Sequence, residues 1–99
     1  MQIDITGHHV EITDALRQHT IKLLERLNSH RETSLQNIRV VLQVSKNVNG
    51  CGIMTRYNQE EFVVNCQESD MYAAIDRAVE KMERQLQNAK GRKLARRSQ

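Results

Sequence analysis

Between residues 38 and 66 the chain places apolar side chains on every second position three times in succession. Ile38, Val40, Leu42 and Val44 alternate with Arg39, Val41, Gln43 and Ser45. Ile53, Thr55 and Tyr57 then share one face, and Phe62, Val64 and Cys66 another. A period of two is the signature of strands with one buried face, so this stretch predicts three consecutive strands. Ile3 and Ile5, set against Gln2, Asp4 and Thr6, predict a short fourth strand at the amino end, closed by Gly7. Asn58-Gln59 falls where a two-residue hairpin turn belongs, although Gln is not the preferred second residue. Lys46–Gly52, rich in Asn and Gly, reads as a loop.

Two segments have helical period instead. After Thr13 as N-cap and Asp14 in the first turn, Leu16, Thr20, Leu23 and Leu27 repeat at helical spacing to about Asn28. A polar loop over 28–36 follows. A second helix, capped near Ser69 or Asp70, runs to about Ala89 on a stripe of Met71, Ile75, Ala78, Val79, Met82 and Leu86. Every element is apolar on one side only. The economical assembly is an α+β, two-layer β-α-β-β-β-α unit: one four-stranded sheet with two roughly parallel helices on one face. The other sheet face, bearing Arg39, Gln43, Met54, Arg56 and Glu61, meets water or a partner. At 99 residues this is a single domain.

Charge is unevenly spread. The sequence has 15 Lys and Arg against 12 Asp and Glu, yet Lys90, Arg92, Lys93, Arg96 and Arg97 lie in the last ten residues without a carboxylate. Residues 1–89 therefore hold 15 − 5 = 10 basic against 12 acidic groups, net −2, and the segment 90–99 is +5. A mildly acidic domain with a basic, disordered tail points to a polyanion, above all nucleic acid. On a helical wheel the first helix places Asp14 and Glu25 at about 160–180° from Leu16 and His19, Lys22 and Arg26 at about 240–300°. The second places Asp76, Glu80 and Glu83 at about 120–180° from Met71 and Arg77, Lys81 and Arg84 at about 220–280°. Each helix alone reads as a solvated face, with Glu80 and Arg84 an ordinary i,i+4 pair. Two basic flanks on the same rotational side, leading into a basic tail, predict a continuous track for a phosphate backbone without a code for base identity.

Other chemistries find little support. Tyr57 and Phe62 point to the core and Tyr72 begins a helix, so no aromatic platform for stacking single-stranded bases is evident. Folded RNA, read by shape and charge, is the expected ligand. His8-His9, His19 and His30 lack a third ligand in register, and Gly50-Cys51-Gly52 is too short for a phosphate loop. Cys66 reads as an inert core thiol, whereas Cys51 falls in the loop and is open to solvent there, with no base beside it. Asp76 and Glu80 form an exposed carboxylate pair. No enzyme, metal, cofactor or small-molecule substrate is expected. Two cysteines outside any framework, no membrane-length apolar run and no signal-peptide start predict a reduced, cytoplasmic protein that is monomeric when free.

Several motifs carry a resemblance. Ile5-Thr6-Gly7, Val10-Glu11-Ile12-Thr13 with Ala15-Leu16-Arg17, and above all Asp70-Met71-Tyr72-Ala73-Ala74-Ile75-Asp76 followed by Lys81 and Arg84-Gln85-Leu86 are similar to the short bacterial ribosome hibernation promoting factors, from Met1 to about Lys93. The resemblance implies a fold similar to the double-stranded RNA-binding domain. It also implies binding to small-subunit rRNA and nearby ribosomal proteins at the decoding region, across the messenger and transfer RNA sites, with translation stopped in stationary phase or starvation. The short form cooperates with ribosome modulation factor to pair idle ribosomes into dimers, whereas a paralogue with a longer carboxy-terminal extension leaves them unpaired. This chain, ending at Gln99, resembles the short form. Carried over by position, the family's basic residues are Arg17, Arg26, Lys81, Arg84, Lys90 and Arg92. The wheel adds Lys22 and Arg77, and the charge run adds Lys93. Gln59 stands where the family has Gly, the 28–36 loop is slightly longer, and Ala95-Arg96-Arg97 is unusually rich in arginine. The competing expectation is a protein–protein adaptor working through Val41, Met54 and Val63 on the open sheet face.

Overall fold

The computed structural model describes residues 2–29 and 35–97, with side chains to Ala89. Its elements are β1 (Ile3–His8), α1 (Asp14–Ser29), β2 (Ile38–Ser45), β3 (Val48–Tyr57), β4 (Glu60–Glu68) and α2 (Met71–Arg97). The sheet order is β1-β2-β3-β4. β1 runs parallel to β2, as a strand–helix–strand crossover requires, and the other pairs are antiparallel hairpins. The result is the expected α+β architecture with a mixed sheet. The register aligns Val40 with Ile53 and Ile53 with Val64, so the inward rows of three strands face the helices together. Those rows and both helical stripes merge into one apolar cluster. Gly7 is required where β1 turns toward α1, because a Cβ there would collide with the Val10 carbonyl oxygen.

The expected loop over 46–52 is instead mostly strand. Only Lys46 and Asn47 turn, with φ of 49° and 64°, the signs of a type I′ hairpin. Asn49, Gly50 and Gly52 have weak strand preference alone, but β2 and β4 supply ladder partners on both sides: Gln43 and Gln67 flank Gly50, and Val41 and Asn65 flank Gly52. Cys51 is thereby carried into the core at 1% exposure, which overturns its placement in an open loop. The Asn58-Gln59 turn forms as expected, with φ of 53° and 67°.

Helix stripes are broader than expected. Leu24 and Ala74 are fully buried, while Leu23 and Val79 are half-buried against the cluster. Leu35 is buried as well, inside the segment expected to be polar, and its N–H donates to Asn28 Oδ1 at 2.8 Å. Residues 30–34 of that expected loop, His30 included, lie outside the described residues. The largest difference is at the carboxyl end. α2 does not stop at Ala89, the expected end; its backbone is helical to Arg97. The physical reason is propensity, since Lys90, Arg92, Lys93, Leu94, Ala95, Arg96 and Arg97 are all strong helix formers and only Gly91 opposes them. Cations in the last turns also favour the negative end of the helix dipole. Ser98 and Gln99 lie outside the described residues.

Candidate nucleic-acid interface

Two caps set the phase of the helices. The Leu16 N–H donates to Thr13 Oγ1 at 3.2 Å, and the Ala73 N–H donates to Asp70 Oδ2 at 3.1 Å. Each is an N-cap oxygen satisfying the N–H three residues on. With the phase fixed and the apolar stripes buried, Arg17, Lys22, Arg26, Arg77, Lys81 and Arg84 are all exposed. The side chains of Lys90, Arg92 and Lys93 lie outside the described ones, although their backbone continues α2.

The helices meet through unlike flanks. His19 Nε2 lies 2.7 Å from Asp76 Oδ1, and the His19 ring sits edge-on to Tyr72 with centroids 5.0 Å apart. His19 belongs to the cationic flank of α1, which it shares with Lys22 and Arg26. Asp76 belongs to the acidic flank of α2, which it shares with Glu80 and Glu83. The acidic flank of α2 therefore lies between the two cationic flanks. The expected continuous track is instead two strips, parted by carboxylates.

The outer strip is the stronger. It begins at Arg77, whose Nε donates to Glu68 Oε1 at 3.1 Å, so this cation is partly compensated by the end of β4. From Arg77 to Arg97 the helix carries eight Lys and Arg (77, 81, 84, 90, 92, 93, 96 and 97) against Glu80 and Glu83, net +6. At 1.5 Å per residue the 27-residue helix is about 40 Å long. The helical backbone spaces the exposed Arg77, Lys81 and Arg84 regularly along one flank, which suits the regular phosphates of folded RNA.

Arg17 joins neither strip. It lines a shallow depression at the β1 edge with Asp4, Thr6, His8 and Arg39. Sequence spacing within α1 could not find this grouping, because it depends on how α1 lies over the sheet margin.

Among the described residues no three His, Cys, Asp or Glu side chains converge as a metal site would require. Cys51 and Cys66 are opposed on β3 and β4, both buried and both free thiols. Burial, with Cys66 beside it, pushes the Cys51 thiol up from 9.0 to about 12, so it stays protonated and unreactive at neutral pH. Tyr57 and Phe62 are buried as expected, and Tyr72 is 38% exposed against His19. No described helix is long and apolar enough to cross a membrane.

Comparison with known proteins gives this geometry a family. The model of the family described as "Sigma 54 modulation protein / S30EA ribosomal protein" matches residues 3–94. The ribosome hibernation promoting factor of Pseudomonas putida is 37% identical over 90 residues, spanning 91% of this chain and 87% of that protein. The Escherichia coli K12 protein of that name is 36% identical over 86 residues, 87% and 90% of the respective lengths. Among solved structures, the N-terminal domain of Thermus thermophilus Protein Y superposes with a TM-score of 0.83 at 34% identity, covering 89% of this chain and 98% of that one. A ribosomal subunit interface protein from Coxiella burnetii gives 0.85 at 28% identity, covering 92% and 99%. The fold is thus that of a recognised group, and the chain belongs to the sigma 54 modulation protein / S30EA ribosomal protein family.

Proposed function

We propose that this protein is a cytoplasmic ribosome hibernation factor. It binds the rRNA of the small ribosomal subunit at the decoding region, across the messenger and transfer RNA sites, together with neighbouring ribosomal proteins. Occupying those sites excludes messenger and initiator transfer RNA, so translation stops in stationary phase or starvation. In this reading it cooperates with ribosome modulation factor to pair idle ribosomes. It is a monomer when free, performs no catalysis and needs no cofactor.

The observation that carries the reading is the exposed cationic flank of α2, Arg77, Lys81 and Arg84, on a helix whose sequence from Arg77 to Arg97 is net +6, in a chain of this family. Charge displayed on a rigid helix and uncoupled from any catalytic grouping is equipment for holding a phosphate backbone. Reversing Lys81 and Arg84 to Glu tests it. Both positions are exposed and off the buried stripe, so the fold should persist. Co-sedimentation of the double variant with small subunits should fall by at least tenfold in affinity. Unchanged affinity in a folded double variant would sink the reading.

A second reading has one observation in its favour. The open sheet face exposes Met54, Val63 and Val48 at 37%, 46% and 41%, an apolar group suited to a protein adaptor. Such binding would persist at high salt, whereas rRNA binding would not.

A further inference from the structure

Arg17 is displaced from both cationic strips, and the place it occupies has chemistry of its own. β1 is the sheet's edge strand, and its open-face residues Asp4, Thr6 and His8 stand beside Arg39, Val41 and Gln43 of β2. The depression they form, about 610 Å³ and open to solvent, is also lined by Arg17 from the first turn of α1. Two guanidinium groups, an imidazole and a hydroxyl thus converge from three separate elements. Arg17 and Arg39 are exposed, and neither makes an ion pair among the described residues. Arg77, by contrast, is paired with Glu68.

Guanidinium is planar, permanently charged and forked, and it matches a phosphate with two parallel hydrogen bonds. With the Thr6 hydroxyl lining the same depression, the two guanidinium groups offer a set of donors for a single phosphodiester. Asp4 is the one carboxylate of the group, opposite Arg39 in the register. It leaves the site at +1 with His8 neutral, which suits one phosphate and not a run of them. On the helical wheel Arg17 lies at about 100° from Leu16, while Lys22 and Arg26 lie at about 240–280°, so α1 separates the two groups.

We infer that the β1 margin is a second phosphate site, in which Arg17 and Arg39, with Thr6 and His8, hold an RNA backbone phosphate on the side of α1 opposite Lys22 and Arg26. The proposal rests on the rRNA-binding reading and deepens it. RNA backbone then straddles α1, as when a ridge seats in the wide, shallow minor groove of A-form RNA with phosphates on either side. A protein laid on RNA only through α2 would leave Arg39, on the opposite face of the sheet from the helices, with nothing to do.

The test is binding of the full chain to purified small subunits over a monovalent salt series at fixed magnesium. Wild type is compared with Arg39→Gln, Arg39→Lys, the pair Arg17→Gln with Arg39→Gln, and the pair Lys81→Glu with Arg84→Glu. Circular dichroism and thermal melts establish that each variant is folded, which is expected because every changed side chain is exposed. Each lost phosphate contact removes about 0.7–0.9 from the log–log salt slope. The site holds one phosphate, so the Arg17/Arg39 pair should flatten the slope by about 0.7–0.9, and Arg39→Gln alone by no more than that. Arg39→Lys should keep the slope, since the charge remains, while losing affinity with the fork. If Arg39→Gln matches wild type while the α2 pair is weakened, the margin site falls and the ribosome-binding reading stands. An affinity loss at unchanged slope in the Arg17/Arg39 glutamine pair would make the margin a protein contact and overturn the phosphate assignment. If wild type itself fails to bind small subunits, both fall together.

Discussion

The continuation of α2 to Arg97 makes a claim that can be separated from charge alone. Gly91 is helical in the backbone although glycine is the poorest helix former after proline. Gly91→Pro removes one N–H from the helical ladder and sets its ring against the carbonyl four residues back, at Gln87, at a cost of roughly 3 kcal/mol to an intact helix. All five cations from Lys90 to Arg97 are retained. The last seven helical residues, about 10 Å of the rod, would be uncoupled from the rest and would have to be ordered again on binding. If the whole cost appears in the complex, affinity for small subunits falls by up to about a hundredfold, since 1.4 kcal/mol is tenfold. The salt slope should stay within error of wild type, because the number of phosphate contacts is unchanged. Gly91→Ala should act in the opposite direction by up to about 1 kcal/mol, roughly a fivefold gain. Fluorescence titrations across a salt series, with far-ultraviolet circular dichroism to read helix content, measure both quantities. If Gly91→Pro loses helix but keeps wild-type affinity, the helical extension plays no part in binding. A changed slope would show instead that the extension places charges that a coil cannot.

Two further outcomes follow from the fold. Gln59 holds a left-handed conformation, with φ of 67°, that costs a non-glycine residue about 1–2 kcal/mol, so Gln59→Gly should raise stability by roughly 0.5–1 kcal/mol in urea unfolding after the entropy of glycine is subtracted. Cys51 should resist a thiol reagent at pH 8 in the native protein and react on unfolding; because folding raises its pKa from 9.0 to about 12, it adds no pH dependence below about pH 9 and costs stability as pH climbs toward 12. Rapid native labelling of Cys51 would refute its burial.

What the sequence displays most clearly is alternation. Ile38 to Val44, Ile53 to Tyr57 and Phe62 to Cys66 each state a buried face, and Thr13 and Asp70 mark helix starts that the observed cap hydrogen bonds match. The first half of β3 is concealed because Asn49, Gly50 and Gly52 become strand only through partners on both sides, a tertiary effect that local preference does not register. The placement of Cys51 was lost with it. Leu35 is hidden for a related reason: one apolar residue in a polar stretch has no period, and its burial depends on Asn28 seven residues back. At the carboxyl end, propensity for helix was present in Lys93 to Arg97, but the absence of an apolar stripe outweighed it. For the candidate site, spacing gives each helix its own acidic and cationic sectors, and Arg17, Lys22, Arg26, Arg77, Lys81 and Arg84 are all exposed. Spacing cannot say which flank of one helix faces which flank of the other. The His19–Asp76 contact decides that, and it splits the track. Nor can it bring Arg17 to Arg39, since those residues share no element.

The central claim is that this protein occupies the decoding region of the small subunit and excludes the ligands that work there. Binding of labelled initiator transfer RNA to small subunits programmed with messenger RNA, measured as the protein is added, tests it most directly. Wild type should displace the transfer RNA with an end point near one protein per subunit, and the variant with Lys81 and Arg84 both changed to Glu should not. A ternary complex in which saturating protein and initiator transfer RNA remain bound together would contradict the account.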